Sequence, residues 1–398
     1  MHIAYFTNTY LPVISGVVRC VNAFRKTLSD LGHNVFVFAQ QDDSYADDEP
    51  FVFRYPSLPL PVSYDVSTAI PFSPFIDRLF PALKVDIVHA HHPILLGQAA
   101  ASKAQDFDLP LVFTFHTQYE AYTHYVPLSQ PAVQDFLKGA ISNWLQEFMS
   151  RCQHIVIPSE SIRSLLVQEY GLVGPYTVIP TGIELSRFEG GENGNQVRQV
   201  YGWRDDDVLM VSVGRLAKEK NWELLLQVVA LMTDMPHLHL ALIGDGPECH
   251  NLQRLAAELG IAGQVSFVGE VPFDEVPAFL KAADFFAFAS VTETQGLVTV
   301  EAMAAGLPVV AIDASGTRDI VQDGVQGFLV ADDPQAFAQG IRRLLADAAR
   351  FAEFSQAAKA RAGQFEMKAL AKSLLGVYRR AIEDKKEGRT VEVQREAM

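Results

Sequence analysis

Three stretches after residue 200 carry residue types and spacings that could do chemistry. In Val213-Gly214-Arg215-Leu216-Ala217-Lys218-Glu219-Lys220-Asn221, an apolar run meets a glycine turn, an arginine and, five residues on, a lysine. A guanidinium is a planar fork of donors and an ammonium a compact charge, so Arg215 and Lys220 suit a diphosphate. A solvated basic loop would read the same way. In Thr292-Glu293-Thr294-Gln295-Gly296-Leu297-Val298-Thr299-Val300-Glu301, two glutamates stand eight residues apart across a loop entering a helix. Gly296 frees the backbone, and the amides of Leu297 and Val298 would lie at a helix N-terminus, where phosphates bind. Carboxylates accept hydrogen bonds from several donors, so Glu293, beside Thr294, and Glu301 suit sugar and ribose hydroxyls. Glu301 lies among apolar residues and needs a partner there. Leu242-Ile243-Gly244-Asp245-Gly246-Pro247-Glu248 is weaker: Gly244 lets a ligand approach the backbone, or simply makes a tight turn.

In the first half, Pro12-Val13-Ile14-Ser15-Gly16-Val17-Val18-Arg19 follows an apolar run and opens a helical pattern. Gly16 would let that helix N-terminus face a phosphate. This is not the GxGxxG fingerprint, which occurs nowhere in the chain, so a dehydrogenase is disfavoured. Phe113-Thr114-Phe115-His116-Thr117-Gln118-Tyr119 ends a strand pattern on a histidine. At the carboxyl end of a parallel strand His116 is predicted to point into a ligand cleft, although a lone histidine also serves as structure. His89, His91 and His92 invite a metal reading. Neighbours in an extended segment alternate faces, so at most two converge, and no carboxylate pair accompanies them. No Asp-x-Asp diphosphate motif is evident. With Arg215 and Lys220 to neutralise the charge, no metal or other cofactor is required.

Such residues need strands and helices to position them. Short, continuously apolar runs (His2–Phe6, Asn34–Ala39, Ile87–His89, Leu111–Phe115, His154–Pro158, Thr177–Ile179) alternate with amphipathic stretches, and the pattern repeats from Val208 to Ala311. Such alternation predicts an α/β fold of two doubly wound parallel sheets, covered on both faces, with ligands at the strand carboxyl ends. The boundaries fall at 1–186 for the first domain, 187–199 for a glycine-rich polar linker and 200–366 for the second domain. Residues 367–398 read as a last charged helix, Met367–Lys386, and a polar tail, packing back toward the first domain. Phe51–Phe80, rich in proline and aromatic residues, breaks the pattern. It is predicted to be a long loop, or a loop carrying a short helix, either functional or packed on its own domain.

With 398 residues, 49% hydrophobic and 20% charged, the chain can bury a core in each half. Cys20, Cys152 and Cys249 lie far apart without metal or disulfide spacing, which fits a reducing, cytoplasmic setting. The start, Met1-His2-Ile3-Ala4, reads as a strand and not a signal peptide. No run reaches the roughly 18 apolar residues that span a bilayer. Net charge is −15, and both halves are acidic: residues 1–185 hold 10 Lys+Arg against 17 Asp+Glu, the remainder 22 against 30. Nucleic acid is therefore not an expected partner, and bulk charge does not favour an anionic membrane.

Taken in order, these residues resemble the large family of retaining GT-B glycosyltransferases that includes sucrose-phosphate synthase and phosphatidylinositol mannosyltransferase. The likeness covers nearly the whole chain and rests on Gly214–Asn221, Gly244–Glu248 and Glu293–Gly306. It implies two Rossmann-like domains facing across a cleft, the first taking the acceptor and the second a nucleotide-sugar. Arg215 and Lys220 would bind the donor diphosphate, Glu293 the sugar hydroxyls, Glu301 the ribose and the backbone near Val271 the base. Gly16 would face the phosphates, and His116 would sit beside the transferred sugar as the domains close. A narrower likeness to diacylglycerol glucosyltransferases rests on Phe115–Glu120 with His124-Tyr125, and on Thr294-Gln295 and Thr181-Gly182, where many relatives carry Ser-Phe and Asn-Gly. It implies transfer of a hexose, glucose first, from a UDP-sugar to a lipid such as 1,2-diacylglycerol, with peripheral membrane contact and Tyr119 and Tyr125 near the acceptor. A soluble glycan or sugar phosphate as acceptor, an epimerase, and a nucleotide-sugar sensor remain the alternatives.

Overall fold

The computed structural model describes residues 1–13, 15–59, 67–116, 131–190 and 193–394, apart from the side chains of 131–138 and 193. Two compact units emerge: Met1–Gly182 with Met367–Met398, and Ile183–Glu366.

The strands of the first unit are β1 (His2–Thr7), β2 (Asn34–Gln40), β3 (Val52–Tyr55), β4 (Ser57–Pro59), β5 (Ser67–Ala69), β6 (Ile87–Ala90), β7 (Leu111–Thr114), β8 (His154–Ile157), β9 (Leu172–Gly174) and β10 (Tyr176–Val178). Seven of them form one parallel sheet, ordered β10-β8-β7-β6-β1-β2-β3. The second unit has β11 (Val208–Val213), β12 (Leu238–Ile243), β13 (Val265–Gly269), β14 (Phe285–Phe288), β15 (Val309–Ile312) and β16 (Gly327–Val330), ordered β13-β12-β11-β14-β15-β16. This is the doubly wound dinucleotide-fold order. Each sheet reverses winding at its first strand, between β1 and β6 and between β11 and β14.

The strands form because their apolar runs are buried on both faces. Within β1, Ala4 and Phe6 join one cluster with Phe38 and Phe113, while Ile3 and Tyr5 join the opposite one with Val18 and Leu28. Met210 of β11 faces Leu225 and Leu240, whereas Leu209 and Val211 face Phe286 and Met303. That alternation is what a pleated strand between two helical layers requires. The helix Met367–Lys386 supplies Ala371, Leu374, Tyr378 and Ala381 to the first unit's core.

Two expectations change. Residues 187–199 do not form a separate linker: Phe188 is buried in the second unit's core, and a helix spans Asn193–Tyr201. Glycines at 190, 191 and 194 hid that helix from a composition-based reading. Within Phe51–Phe80 the described residues hold the expected short helix, Pro74–Leu79, but also unexpected strands: β3 extends the sheet, and β4 and β5 pair antiparallel. Pro59 is tolerated because β4 belongs to a two-stranded sheet in which each strand is an edge, and Pro74 because it opens a helix. Among the described residues no helix is long and apolar enough to cross a membrane.

Candidate functional site

In the second unit the predicted residues gather at the carboxyl ends of β11 and β14, beside the switch point. The loop after β11 is clamped to the loop after β12. Leu216 N donates to Asp245 O (2.9 Å) and Glu248 N to Leu216 O (2.9 Å). A Cβ on Gly244, at φ +131°, would stand 2.1 Å from the Gly214 carbonyl oxygen, and one on Gly246 2.5 Å from that of Leu216. The chain's own backbone therefore demands both glycines, whether or not a ligand approaches them.

Arg215 and Lys220 each hold a carboxylate. Arg215 Nη2 donates to Glu219 Oε1 at 3.0 Å, and Lys220 Nζ donates to Glu293 Oε1. Burial pushes the Glu219 carboxyl up, but its own backbone amide, Arg215 and Lys220 outweigh this and hold it below the usual carboxylate range. Trp222 fixes the turn by donating to the Arg215 carbonyl at 3.0 Å. Glu293 is held by its backbone: Ser315 Oγ donates to its carbonyl at 3.2 Å, and Gly316, at φ +78°, lies so close that a Cβ would be 2.7 Å from the same oxygen. Thr294 is half-buried beside it, and Gly296 takes φ +77° to start the helix Leu297–Ala304. Leu297 and Val298 thus occupy the first turn, as the sequence predicts.

Glu301 is 2% exposed. The partner its surroundings call for is Arg187, whose Nη1 lies 4.0 Å from Glu301 Oε1. The Arg187 guanidinium also sits 3.5 Å above the Phe273 ring centroid and donates to the Phe273 carbonyl at 2.5 Å. It therefore ties the helix bearing Glu301 to the segment holding Val271. Arg187, Glu219 and Gly316 were missed from sequence. Only Glu219 had a local signal, its place between Arg215 and Lys220.

In the first unit, Gly16 starts the helix Gly16–Asp30, capped by Ser15 Oγ accepting from Val18 N at 3.3 Å. A Cβ there would meet no atom within 4 Å, so nothing in this unit requires glycine. His116 follows β7 and its Nε2 lies 3.0 Å from His91 Nδ1. His89 stacks on His91, with centroids 4.4 Å apart, and bonds Tyr378 Oη and Thr114 Oγ1, each at 2.7 Å. Burial, reinforced by the neighbouring histidines, holds His91 and His116 well below the usual histidine range; burial alone takes His89 to about 3 and His92 to about 4. These imidazoles are neutral near pH 7. Among the described residues no group of three or more His, Cys, Asp or Glu converges to hold a metal ion. Tyr119 and Tyr125 lie outside the described residues.

Comparison with known proteins follows the two units. The family "Glycosyl transferases group 1" matches residues 194–361, and "Glycosyltransferase Family 4" matches residues 14–187. The chain is 32% identical over 350 residues to an alpha-monoglucosyldiacylglycerol synthase of Streptococcus pneumoniae, covering 83% of this chain and 75% of that one. It is 33% identical to the enzyme of the same name from Acholeplasma laidlawii, covering 82% and 84%. Among solved structures, the Anabaena protein HepE in complex with UDP and glucose matches with TM-score 0.76 at 21% identity, covering 95% of this chain and 99% of that one.

Proposed function

Because the chain belongs to the group 1 glycosyltransferases of GT-B fold, we propose that it transfers glucose from UDP-glucose to the free hydroxyl of a 1,2-diacylglycerol, with retention at the anomeric carbon. The observation that carries this reading is the likeness, at 32% and 33% identity over most of the chain, to two synthases of that product. The cluster at β11 and β14 fits the donor's chemistry. The diphosphate replaces Glu219 and Glu293 as the partner of Arg215 and Lys220, and the amides of Leu297 and Val298 take a phosphate oxygen. Glu293, released from Lys220, accepts the sugar hydroxyls, while Glu301 accepts the ribose hydroxyls and the backbone near Val271 the base. The bond from C1 to the phosphate oxygen breaks with its electron pair going to the diphosphate. The acceptor oxygen bonds C1 on the face being vacated, and its proton passes to the departing phosphate oxygen. Two fixed cations take up the developing charge, so the step needs no metal.

A lipid acceptor asks for contact with a membrane. Leu58, Ile70, Phe72 and Phe75 cluster in sequence around the β4 and β5 strands, and Phe72 and Phe75 are 64% and 66% exposed. We assign this apolar segment to shallow insertion.

The deciding experiment incubates the protein with UDP-glucose and dioleoylglycerol in mixed micelles and identifies products by mass spectrometry and anomeric NMR. An α-glucosyl lipid supports donor, acceptor and stereochemistry together. UDP release without a lipid product would overturn the lipid acceptor and redirect the search to soluble glycans or sugar phosphates. A β-linked product would overturn retention.

A further inference from the structure

His91 has no part in the proposed reaction, yet it is 1% exposed and touches His116, the histidine that the family resemblance sets beside the transferred sugar. Two neutral imidazoles that share a hydrogen bond must divide the roles: one nitrogen carries the proton and the other the lone pair. His91 Nδ1 faces His116 Nε2 at 3.0 Å, while His91 Nε2 is buried with no hydrogen-bond partner among the described residues. If His116 Nε2 were the donor, His91 would be left with a buried, unmet N–H. If His91 Nδ1 is the donor, only a lone pair goes unmet, and orphaned buried N–H groups are the rarer and costlier defect. His89 stacks on the other side of His91 and is itself fixed by Tyr378 and Thr114, so the His91 ring has little freedom to turn.

We infer that His91 is a positioning residue: it donates Nδ1–H to His116 Nε2, so that His116 keeps its proton on Nδ1 and serves as a hydrogen-bond donor, not a base. This rests on the proposed glycosyl transfer and on the place that the family resemblance gives His116, beside the transferred sugar, and it specifies that place. A donor there would bind a sugar hydroxyl oxygen; the proton of the acceptor hydroxyl goes elsewhere, which agrees with its transfer to the leaving phosphate.

Asn and Leu have nearly the same shape, and Asn can place an amide nitrogen where Nδ1 stood. In the full chain, His91→Leu should lower kcat for UDP-glucose and dioleoylglycerol about tenfold, the value of one hydrogen bond, with the donor KM unchanged. His91→Asn should recover most of that loss. Equal losses in both variants, or full turnover in His91→Leu, would overturn the inference. His116→Ala separates the two claims. If it keeps normal turnover, the role of His116 itself is wrong; if it is inactive while His91→Leu is normal, only the inference about His91 is wrong. Should the variants not fold, or the substrates not react, ¹⁵N NMR of the unmodified protein still decides. A His116 spectrum showing the Nδ1–H form supports the assignment, and the Nε2–H form refutes it.

Discussion

Arg215 and Glu219 illustrate how little a visible ion pair says about stability. Arg215 is 63% exposed, and such a pair contributes roughly 0–1 kcal/mol. If Arg215 works on the diphosphate, Arg215→Ala should leave Tm within about 4 °C yet lower kcat roughly 10²- to 10³-fold, as loss of one transition-state donor does elsewhere. Near-normal turnover at saturating donor would remove Arg215 from the mechanism. Arg187 differs, because it faces a buried carboxylate. Arg187→Met should raise the donor KM about tenfold with kcat nearly constant, since it loosens Glu301 and the segment near Val271 together. Calorimetric UDP titration is the check, and unchanged affinity would deny Arg187 a role in holding the nucleotide. Glu301 itself was legible in sequence as a carboxylate in want of a partner. Its partner was not, because Arg187 comes from a segment more than a hundred residues earlier and nothing local marks it.

At the scale of elements, the two sheets were legible because parallel strands buried on both faces leave continuous apolar runs. β3 was not, since Arg54 interrupts its four residues, nor was the β4–β5 pair, whose three-residue strands include Pro59 and carry no such run. Glycines separate by what demands them. Gly244→Ala forces a Cβ against the Gly214 carbonyl and should cost about 2 kcal/mol or more of stability. Gly16→Ala meets open space, so the fold should hold by thermal melting while the donor KM rises if a phosphate comes close to that helix. A normal donor KM in Gly16→Ala would mean that nothing approaches. The ends of β6 and β7 hold buried neutral histidines, with His89 at about 3 and His92 at about 4. Above the unfolded value of about 6.5 they carry no extra proton in either state. Below it the unfolded chain takes up protons that the folded chain refuses, so stability falls from about pH 6.5 downward toward those folded values. Melting curves at pH 7.5 and 5.5 should show a clear drop in Tm, and identical curves would contradict the buried, neutral state.

For the whole molecule, the −15 charge opposes approach to an anionic bilayer, so insertion of Phe72 and Phe75 has to overcome repulsion. Salt screens that repulsion, and vesicle binding should therefore rise between 50 and 500 mM salt, in the opposite sense to a basic peripheral protein. Replacing both residues, Phe72→Ser with Phe75→Ser, should lower the bound fraction at least tenfold, given about 1.5–3 kcal/mol for each buried ring. Turnover of a short-chain, water-soluble diacylglycerol should be unaffected. Binding that falls with salt, or that survives the double substitution, would place the membrane contact elsewhere.

The first unit is interrupted in the chain: Met367–Lys386 completes it after the whole of Ile183–Glu366 has intervened. On the ribosome this separates the two units in time. The early 182 residues emerge without Leu374, Tyr378 and Ala381, so an apolar stripe and the hydroxyl that fixes His89 are missing until the last helix is made. The continuous unit can finish first, while its predecessor waits with a greasy groove uncovered. A nascent chain stalled before residue 367 is where a chaperone would be expected to linger.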